Sequence, residues 1–384
     1  MRVILSKIIG SKKLLLVLLL ILSLFITTLP GCMGGVPTKG WSGVISGNGT
    51  LYLGGMDGSL YAVNPANGTV IWSKELEPLP SGGWFSPSSF AAIYSTPAFA
   101  GRRVFAGSYL LTGSDEHGRI FGLNAENGEI AWIFPPRGSL AATIIGGLTA
   151  AGGLVYAGAT DHKLYALDEA TGDKKWEFTA GDQIWASPVV SGNTIYIGSF
   201  DRRLYALDAA TGAKKWHYET DGAIVGAALV FNNTVYIGSY NRHFYALDAA
   251  SGTLKWDLPA DRGFWAAPAA AGNAVFVPCL DGKVYILDAG SGRELGTVGL
   301  SQYLSSSPTA LGDAAVVASP EGNLYLLSAA NFNIPPFSEL KSTVFAPLAS
   351  ADGTIYIHTW SPERLYALDA AGKQKWNPLE LQKK

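Results

Sequence analysis

The feature that most constrains this chain is a forty-residue period. "HKLYALDEATGDKKW" (162–176), "RRLYALDAATGAKKW" (202–216) and "RHFYALDAASGTLKW" (242–256) are near-copies of one another. Aligning the aromatic of this segment finds Tyr61, Phe121, Tyr165, Tyr205, Tyr245, Tyr285, Tyr325 and Tyr366, separated by 60, 44, 40, 40, 40, 40 and 41 residues. A fixed period of this length signals an architecture assembled from one supersecondary unit. Eight units fill residues 41–384.

Within one unit the pattern predicts four short strands. In the fourth, residues 187–190 are apolar and end at a Ser-Gly-Asn turn; 194–199 alternates with period two; 204–207 is aliphatic and aromatic; 214–218 follows a second turn. No segment shows the 3.6-residue period that would make the repeat a strand-plus-helix solenoid. Four antiparallel strands per forty residues predict an all-β, eight-bladed β-propeller. In "DAATG" the Asp is expected to cap the turn and Gly212 to take a positive φ. One Asp per blade, spaced around a wheel, converges on no single substrate, so Asp168, Asp208, Asp248 and Asp288 read as turn caps rather than ligands.

The pattern Ala-x-Asp/Asn-x-x-Thr/Ser-Gly-x-x-x-Trp resembles the tryptophan-docking motif of propellers of the pyrroloquinoline-quinone dehydrogenase type. It is complete at 166–176, 206–216 and 246–256, recognisable at 62–72 and 122–132, and one residue short at 367–376. The resemblance implies that Trp72, Trp132, Trp176, Trp216, Trp256 and Trp376 lie between neighbouring blades, each indole stacked on the next turn and its N–H on a carbonyl. The copies at Ile286 and Leu326 lack the Trp, with Gly296 in its place in the sixth blade. Those two seams are expected to be filled otherwise and to be the weakest of the ring.

Ahead of the repeats stand four basic residues, the apolar run 14–25 and a break at Thr27-Thr28-Leu29-Pro30-Gly31-Cys32. This is the build of a secretory signal, too short an apolar run for a permanent span. The break is similar to a bacterial lipobox, departing from it at Pro30; that resemblance implies cleavage after Gly31, lipidation of Cys32, and a short linker, 32–40, before the propeller. Removing 1–31 takes the formal charge from −2 to −6. A mildly acidic exported domain lacks the clustered Lys and Arg that nucleic-acid binding needs. With Cys32 acylated, Cys279 stands alone and no intramolecular disulfide forms.

Convergent chemistry in a propeller belongs where the inter-blade loops and the turns between second and third strands emerge. The residue three before the inner-strand Pro position reads Tyr94, Ile145, Trp185, Val225, Trp265, Ser305 and Val344 in blades two to eight. Trp84, Phe85, Phe90, Phe264 and Tyr303 lie nearby, and the turns carry His162, Lys163, Arg202, Arg203, Arg242 and His243. Insertions at 75–94 and 109–118 enlarge this face. Two readings stand: aromatics plugging the central channel beneath solvated charges, or an aromatic, locally basic docking surface for a protein or peptide. The candidate binding set is Trp84, Tyr94, Trp185, Trp265, Arg202, Arg203, Arg242 and His243.

Catalytic constellations are scarce. The five histidines show no zinc spacing, and there is no GxSxG elbow or glycine-rich phosphate loop. His358, where other blades carry Gly or Ser, is the one His that invites a mutation. The quinone enzymes that this repeat resembles hold their cofactor beside an adjacent Cys-Cys disulfide with acidic Ca²⁺ ligands; this chain has no Cys-Cys pair. The expectation is therefore no cofactor, with pyrroloquinoline quinone and Ca²⁺ the alternative. Length, lipobox and blade number together resemble the eight-bladed lipoproteins of outer-membrane β-barrel assembly. That resemblance implies a non-enzymatic scaffold tethered to the bacterial membrane, binding envelope proteins through its loop face, as a monomer or a subunit of a complex. A quinoprotein sugar or alcohol dehydrogenase and a glycan-binding surface protein are the alternatives.

Overall fold

The computed structural model describes residues 42–77, 89–112, 115–332 and 335–381, within a compact unit spanning Lys39–Lys384. The signal sequence, Cys32, Trp84, Phe85 and the Phe90 side chain lie outside the described residues. Among the described residues there is no helix. Eight four-stranded antiparallel sheets follow one another along the chain, at 45–75, 98–134, 149–179, 189–219, 229–259, 269–299, 309–339 and 349–380. These are the eight blades.

The fourth blade shows how sequence becomes strand. Its strands are Val189–Ser191, Thr194–Gly198, Arg203–Asp208 and Lys214–Glu219, within two residues of expectation. The two central strands are buried on both faces, and the outermost alternates between exposed and half-buried. Asp208 closes the turn as read from the sequence: its Oδ1 accepts the N–H groups of Ala210 and Thr211, both at 3.1 Å. Gly212 follows at φ 73°.

Each seam between blades has its own apolar core. Tyr156, Leu164 and Ala166 of blade three pack with Ile195, Tyr205 and Leu207 of blade four, and equivalent clusters bridge each successive pair. The eighth cluster joins Tyr356, Leu365 and Ala367 to Leu51, Leu53 and Tyr61, so blade eight packs on blade one and the ring closes. All four strands of each blade come from one contiguous stretch, so closure uses no exchanged strand.

The docking tryptophans lie where the motif implies. Trp72, Trp132, Trp176, Trp216 and Trp376 donate their indole N–H to Ala125, Glu169, Ala209, Ala249 and Pro65 carbonyls at 3.0–3.3 Å. Trp256 stacks on the Gly292 turn, but its N–H is buried without a partner among the described residues. The Tyr236 hydroxyl bonds the nearby Ala289 carbonyl at 2.7 Å. The turn glycines are needed for room as well as for φ: a Cβ at Gly212 would lie 2.6 Å from the Trp176 ring.

The two seams without Trp are filled by phenylalanine. At the seam between blades six and seven the bulk has changed sides. Gly296 stands in the Trp position, and Phe332 of blade seven stands where the turn glycine should be. A Cβ on Gly296 would meet the Phe332 ring at 2.1 Å. At the next seam Phe337 lies against Gly372, whose Cβ would meet the ring at 2.6 Å.

The insertions form a ninth, three-stranded sheet of Ser89–Ala92, Tyr109–Thr112 and Asp115–His117. It rises from blade two, and its buried side, Ala92, Tyr94 and Tyr109, packs with Met56 of blade one. The sequence located these insertions without showing that they pair with each other.

Candidate loop-face interface

The inter-blade loop and the turn between strands two and three share one face because they are bonded together. In blade four Ser199 Oγ meets the Asp182 and Gln183 carbonyls at 3.0 and 3.1 Å. Phe200 N–H donates to Gln183 O at 3.0 Å. Cys279 occupies the Ser199 position in blade six, its Sγ 3.3 Å from the Arg262 carbonyl. This turn role accounts for the lone buried thiol; burial pushes its pKa up to about 12, well away from a reactive thiolate.

On this face Trp185, Phe200, Trp265 and Tyr240 make one aromatic cluster over blades four to six. Trp185 meets Phe200 edge-on at 4.9 Å and Trp265 at 6.4 Å; Tyr240 meets Trp265 at 6.0 Å. All four are half-buried. Trp185 Nε1 donates to Gln183 Oε1 at 2.9 Å. The Tyr240 hydroxyl is buried without a hydrogen-bond partner among the described residues, and desolvation raises its pKa.

Phe200 and Tyr240 were not in the candidate set. The signal was available in the tripeptides Phe200-Asp201-Arg202 and Tyr240-Asn241-Arg242, which fill the same turn of adjacent blades. In those turns Arg202 and Arg242 adopt φ 72°, as His162 does at 71° in blade three. Blades one, six and seven place Gly58, Gly282 and Gly322 there, at φ 77°, 83° and 93°. A left-handed non-glycine residue costs about 1–2 kcal/mol. Blades four and five therefore keep arginine, and blade three histidine, at a position where glycine fits without strain.

The predicted cations divide. Arg202 and Arg242 are exposed and form no ion pair or side-chain hydrogen bond among the described residues. Arg203 turns to the outer strand, with its Nη2 3.0 Å from Glu219, and His243 Nδ1 lies 2.7 Å from Asp257. Both are spent within their own blade. Tyr94 is only 4% exposed, set against Tyr109 at 5.2 Å, and burial with the nearby Glu116 pushes its pKa up to about 12. It is a core residue of the accessory sheet rather than a surface contact.

Blade eight corrects the register of the aromatic ring. Val344, taken from the position of Pro347, is fully buried like Ile184 and Ile224. The residue equivalent to Trp185 is Phe345, because the inner strand begins at Ala349, one residue later than Pro347 suggests. Phe345 meets Trp360, which is 45% exposed, at 6.1 Å. Ile145, Val225 and Ser305 are buried. Packing therefore accounts for five of the seven positions the sequence outlined, and only Trp185 and Trp265 among them stay half-buried.

Among the described residues no group of three or more His, Cys, Asp or Glu is placed to hold a metal ion. His358 is buried at the closing seam.

The repeats of the family described as "Outer membrane protein assembly factor BamB" match residues 37–112, 116–226, 221–331 and 280–384. Two curated proteins of that name are similar over parts of the chain. The one from Alteromonas naphthalenivorans is 29% identical over 107 residues, 24% of each chain. The one from Nitrosomonas eutropha is 30% identical over 155 residues, 34% of this chain and 37% of that one. In these matches the chain spans about a quarter and about a third of the curated relatives' lengths. The crystal structure of BamB from Moraxella catarrhalis superposes with a TM-score of 0.67 at 18% identity, covering 82% of this chain and 90% of that one, which shows the shared fold. With its eight blades matched from residue 37 to the end of the chain, apart from three residues in the accessory hairpin, the protein belongs to the BamB family of PQQ-type repeat propellers.

Proposed function

We propose that this propeller is a non-enzymatic scaffold of the bacterial envelope, tethered through acylated Cys32, that docks another envelope protein and serves outer-membrane protein assembly. One observation carries the reading. Two exposed arginines, Arg202 and Arg242, are held at strained positive φ beside a half-buried cluster of Trp185, Phe200, Trp265 and Tyr240. Backbone strain retained at surface turns is a mark of function, and Trp, Tyr and Arg dominate binding hot spots. The name of the curated relatives, outer membrane protein assembly factor, agrees with such a surface. In this reading the chain works as a monomer or as one subunit of a complex and uses neither quinone nor Ca²⁺.

The test is crosslinking in the native envelope, comparing wild type with Trp185→Ala/Trp265→Ala. Loss of a specific crosslinked protein, with the melting temperature unchanged, supports docking; an unchanged set makes the aromatics channel packing. In parallel, the mature domain is titrated with pyrroloquinoline quinone and Ca²⁺ while dye reduction by alcohols or glucose is followed. Saturable binding with turnover would overturn the scaffold reading in favour of a dehydrogenase.

A further inference from the structure

The chain enters the propeller on its loop face. Counting back from the inner strands, which start at Ile45 and Val189, puts Ser42 in register with Ala186, next to the Trp185 position of blade four. Blade eight holds Ser42 there. His358 Nδ1 lies 2.8 Å from the Ser42 carbonyl, and the Ser42 hydroxyl accepts the Gly54 N–H at 2.8 Å. His358 Nε2 lies 3.3 Å from Glu363 Oε1, which accepts the Met56 N–H at 2.9 Å. The entry point is thus fixed against blades eight and one at once.

Beside it stands a second aromatic patch. Phe345 and Trp360 hold in blade eight the positions of Trp185 and Phe200: the Trp360 N–H donates to the Thr343 carbonyl at 2.9 Å, as the Phe200 N–H does to Gln183 at 3.0 Å. The two rings are 6.1 Å apart, and with Met56 of blade one they line a shallow crevice next to His358. Trp360 is 45% exposed. The two patches differ in charge. Arg202 and Arg242 stand exposed beside the cluster of blades four to six. The blade-eight turn instead presents Trp360, Ser361 and Pro362 and folds its acid, Glu363, inward at 1% exposure. The charged residue of the adjoining loop, 340–348, is the exposed Lys341. In the closed ring blade eight stands four places from blade four, so the patches lie on opposite sides of one face.

We propose that Trp360, with Phe345 and Met56, rests on the phospholipid surface to which Cys32 tethers the chain. This contact presupposes the acylation of Cys32 proposed above. Nine residues, 33–41, separate Cys32 from Ser42, and a chain of that length spans about 35 Å at full extension. Ser42 therefore stays within that distance of the acyl chains, and Trp360 is two residues from the His358 that holds it. Tryptophan suits such a surface, because its ring is apolar while its N–H finds partners among wet headgroups. The uncharged turn brings no ionised side chain to be desolvated, and Lys341 suits lipid phosphates. The anchored side of the ring meets the membrane, and the arginine-bearing side is left open to an envelope protein.

The test uses the acylated protein, purified from the membrane and reconstituted in vesicles of phosphatidylethanolamine and phosphatidylglycerol. A photo-crosslinking amino acid is placed at Trp360 and, separately, at Phe200 and Leu254. Phospholipid adducts should be about tenfold more abundant at 360 than at the other two, since an interfacial side chain reaches only about 5–10 Å into the lipid. In the chain with its own aromatics, brominated phospholipid should quench tryptophan fluorescence, and Trp360→Phe should weaken that quenching. The mass of the N-terminal peptide from the same sample reports whether Cys32 is acylated. An acylated chain with no lipid adduct at 360, with equal adducts at all three positions, or with quenching unchanged by Trp360→Phe overturns the membrane contact and leaves the lipoprotein reading standing. A non-acylated N-terminus overturns both. A protein adduct at 360 in intact cells, in place of lipid, assigns the patch to protein docking and overturns the contact as well.

Discussion

Blades three to five and blades six to eight solve the same packing problem in opposite ways. In the first arc each seam repeats one device: Trp176 on Gly212, then Trp216 on Gly252, with Tyr156 and Tyr196 reaching the same carbonyls as the indoles. In the second arc the device is rebuilt at two seams, as Gly296 under Phe332 and as Phe337 on Gly372, and returns at closure as Trp376 on Gly68. What a seam requires is a filled volume and satisfied polar atoms, and either neighbour can supply the bulk. The regular arc keeps its strain for the loop face instead, at Arg202 and Arg242. Regularity in the seams and irregularity on the surface thus coincide in blades four and five, which carry both arginines of the proposed interface.

The comparison is broken most directly by moving bulk across a seam. Trp216→Ala should cost about 3 kcal/mol, through lost burial and the cavity left behind, read as a lower denaturation midpoint. Gly296→Trp should cost a similar amount, about 3 kcal/mol, because Phe332 occupies the space its side chain needs. Phe332→Gly alone should cost about 2 kcal/mol. The double variant Gly296→Trp/Phe332→Gly restores the arrangement of blades three to five and should recover most of both losses. Additive losses in the double variant would show that the exchange of bulk is not what holds this seam.

A smaller effect separates strain from packing. Arg202→Gly and Arg242→Gly should each stabilise the domain by up to about 1 kcal/mol, since glycine takes φ 72° without a Cβ penalty. The same changes should weaken partner capture, so stability and docking move in opposite directions. The equivalent change at Arg203, which lies in a strand and pairs with Glu219, should not stabilise.

The smallest effect concerns the turn caps. The Thr211 hydroxyl and N–H hold Asp208 below the usual carboxylate range. A depressed folded-state pKa contributes stability at neutral pH that is lost as pH falls through it. Asp208→Asn should therefore slightly lower the neutral-pH melting temperature while narrowing its drop on acidification.

The sequence made the wheel readable because one unit was written eight times: alternation set the strands, and Asp, Gly and Trp set the turns and seams. It failed where a residue's meaning depends on the neighbouring blade. Phe332 was unreadable as the partner of Gly296, since the two lie in different repeats and neither matches the motif. Pro347 lies one residue nearer the chain start than the register requires, so counting from it points to Val344 where the strand places Phe345. His358 stood out as an exception, but its link to Glu363 and Ser42 appears only once the ring closes. Of the loop-face residues picked from the sequence, Arg202 and Arg242 are exposed and Trp185 and Trp265 half-buried, whereas Tyr94 is buried and Arg203 and His243 pair with Glu219 and Asp257. Trp84 and Cys32 lie outside the described residues.

The central claim is that recognition resides on the loop face of blades four to six and not on the outer rim of the same blades. It is tested most directly by placing a photo-crosslinking amino acid at Arg202 or Arg242 and, separately, at Lys214 or Leu254 of the outer strands, then irradiating intact cells. The account predicts a discrete adduct with an envelope protein from the loop-face positions and none from the outer strands. Adducts of equal yield from both sets, or only from Lys214 and Leu254, would contradict it.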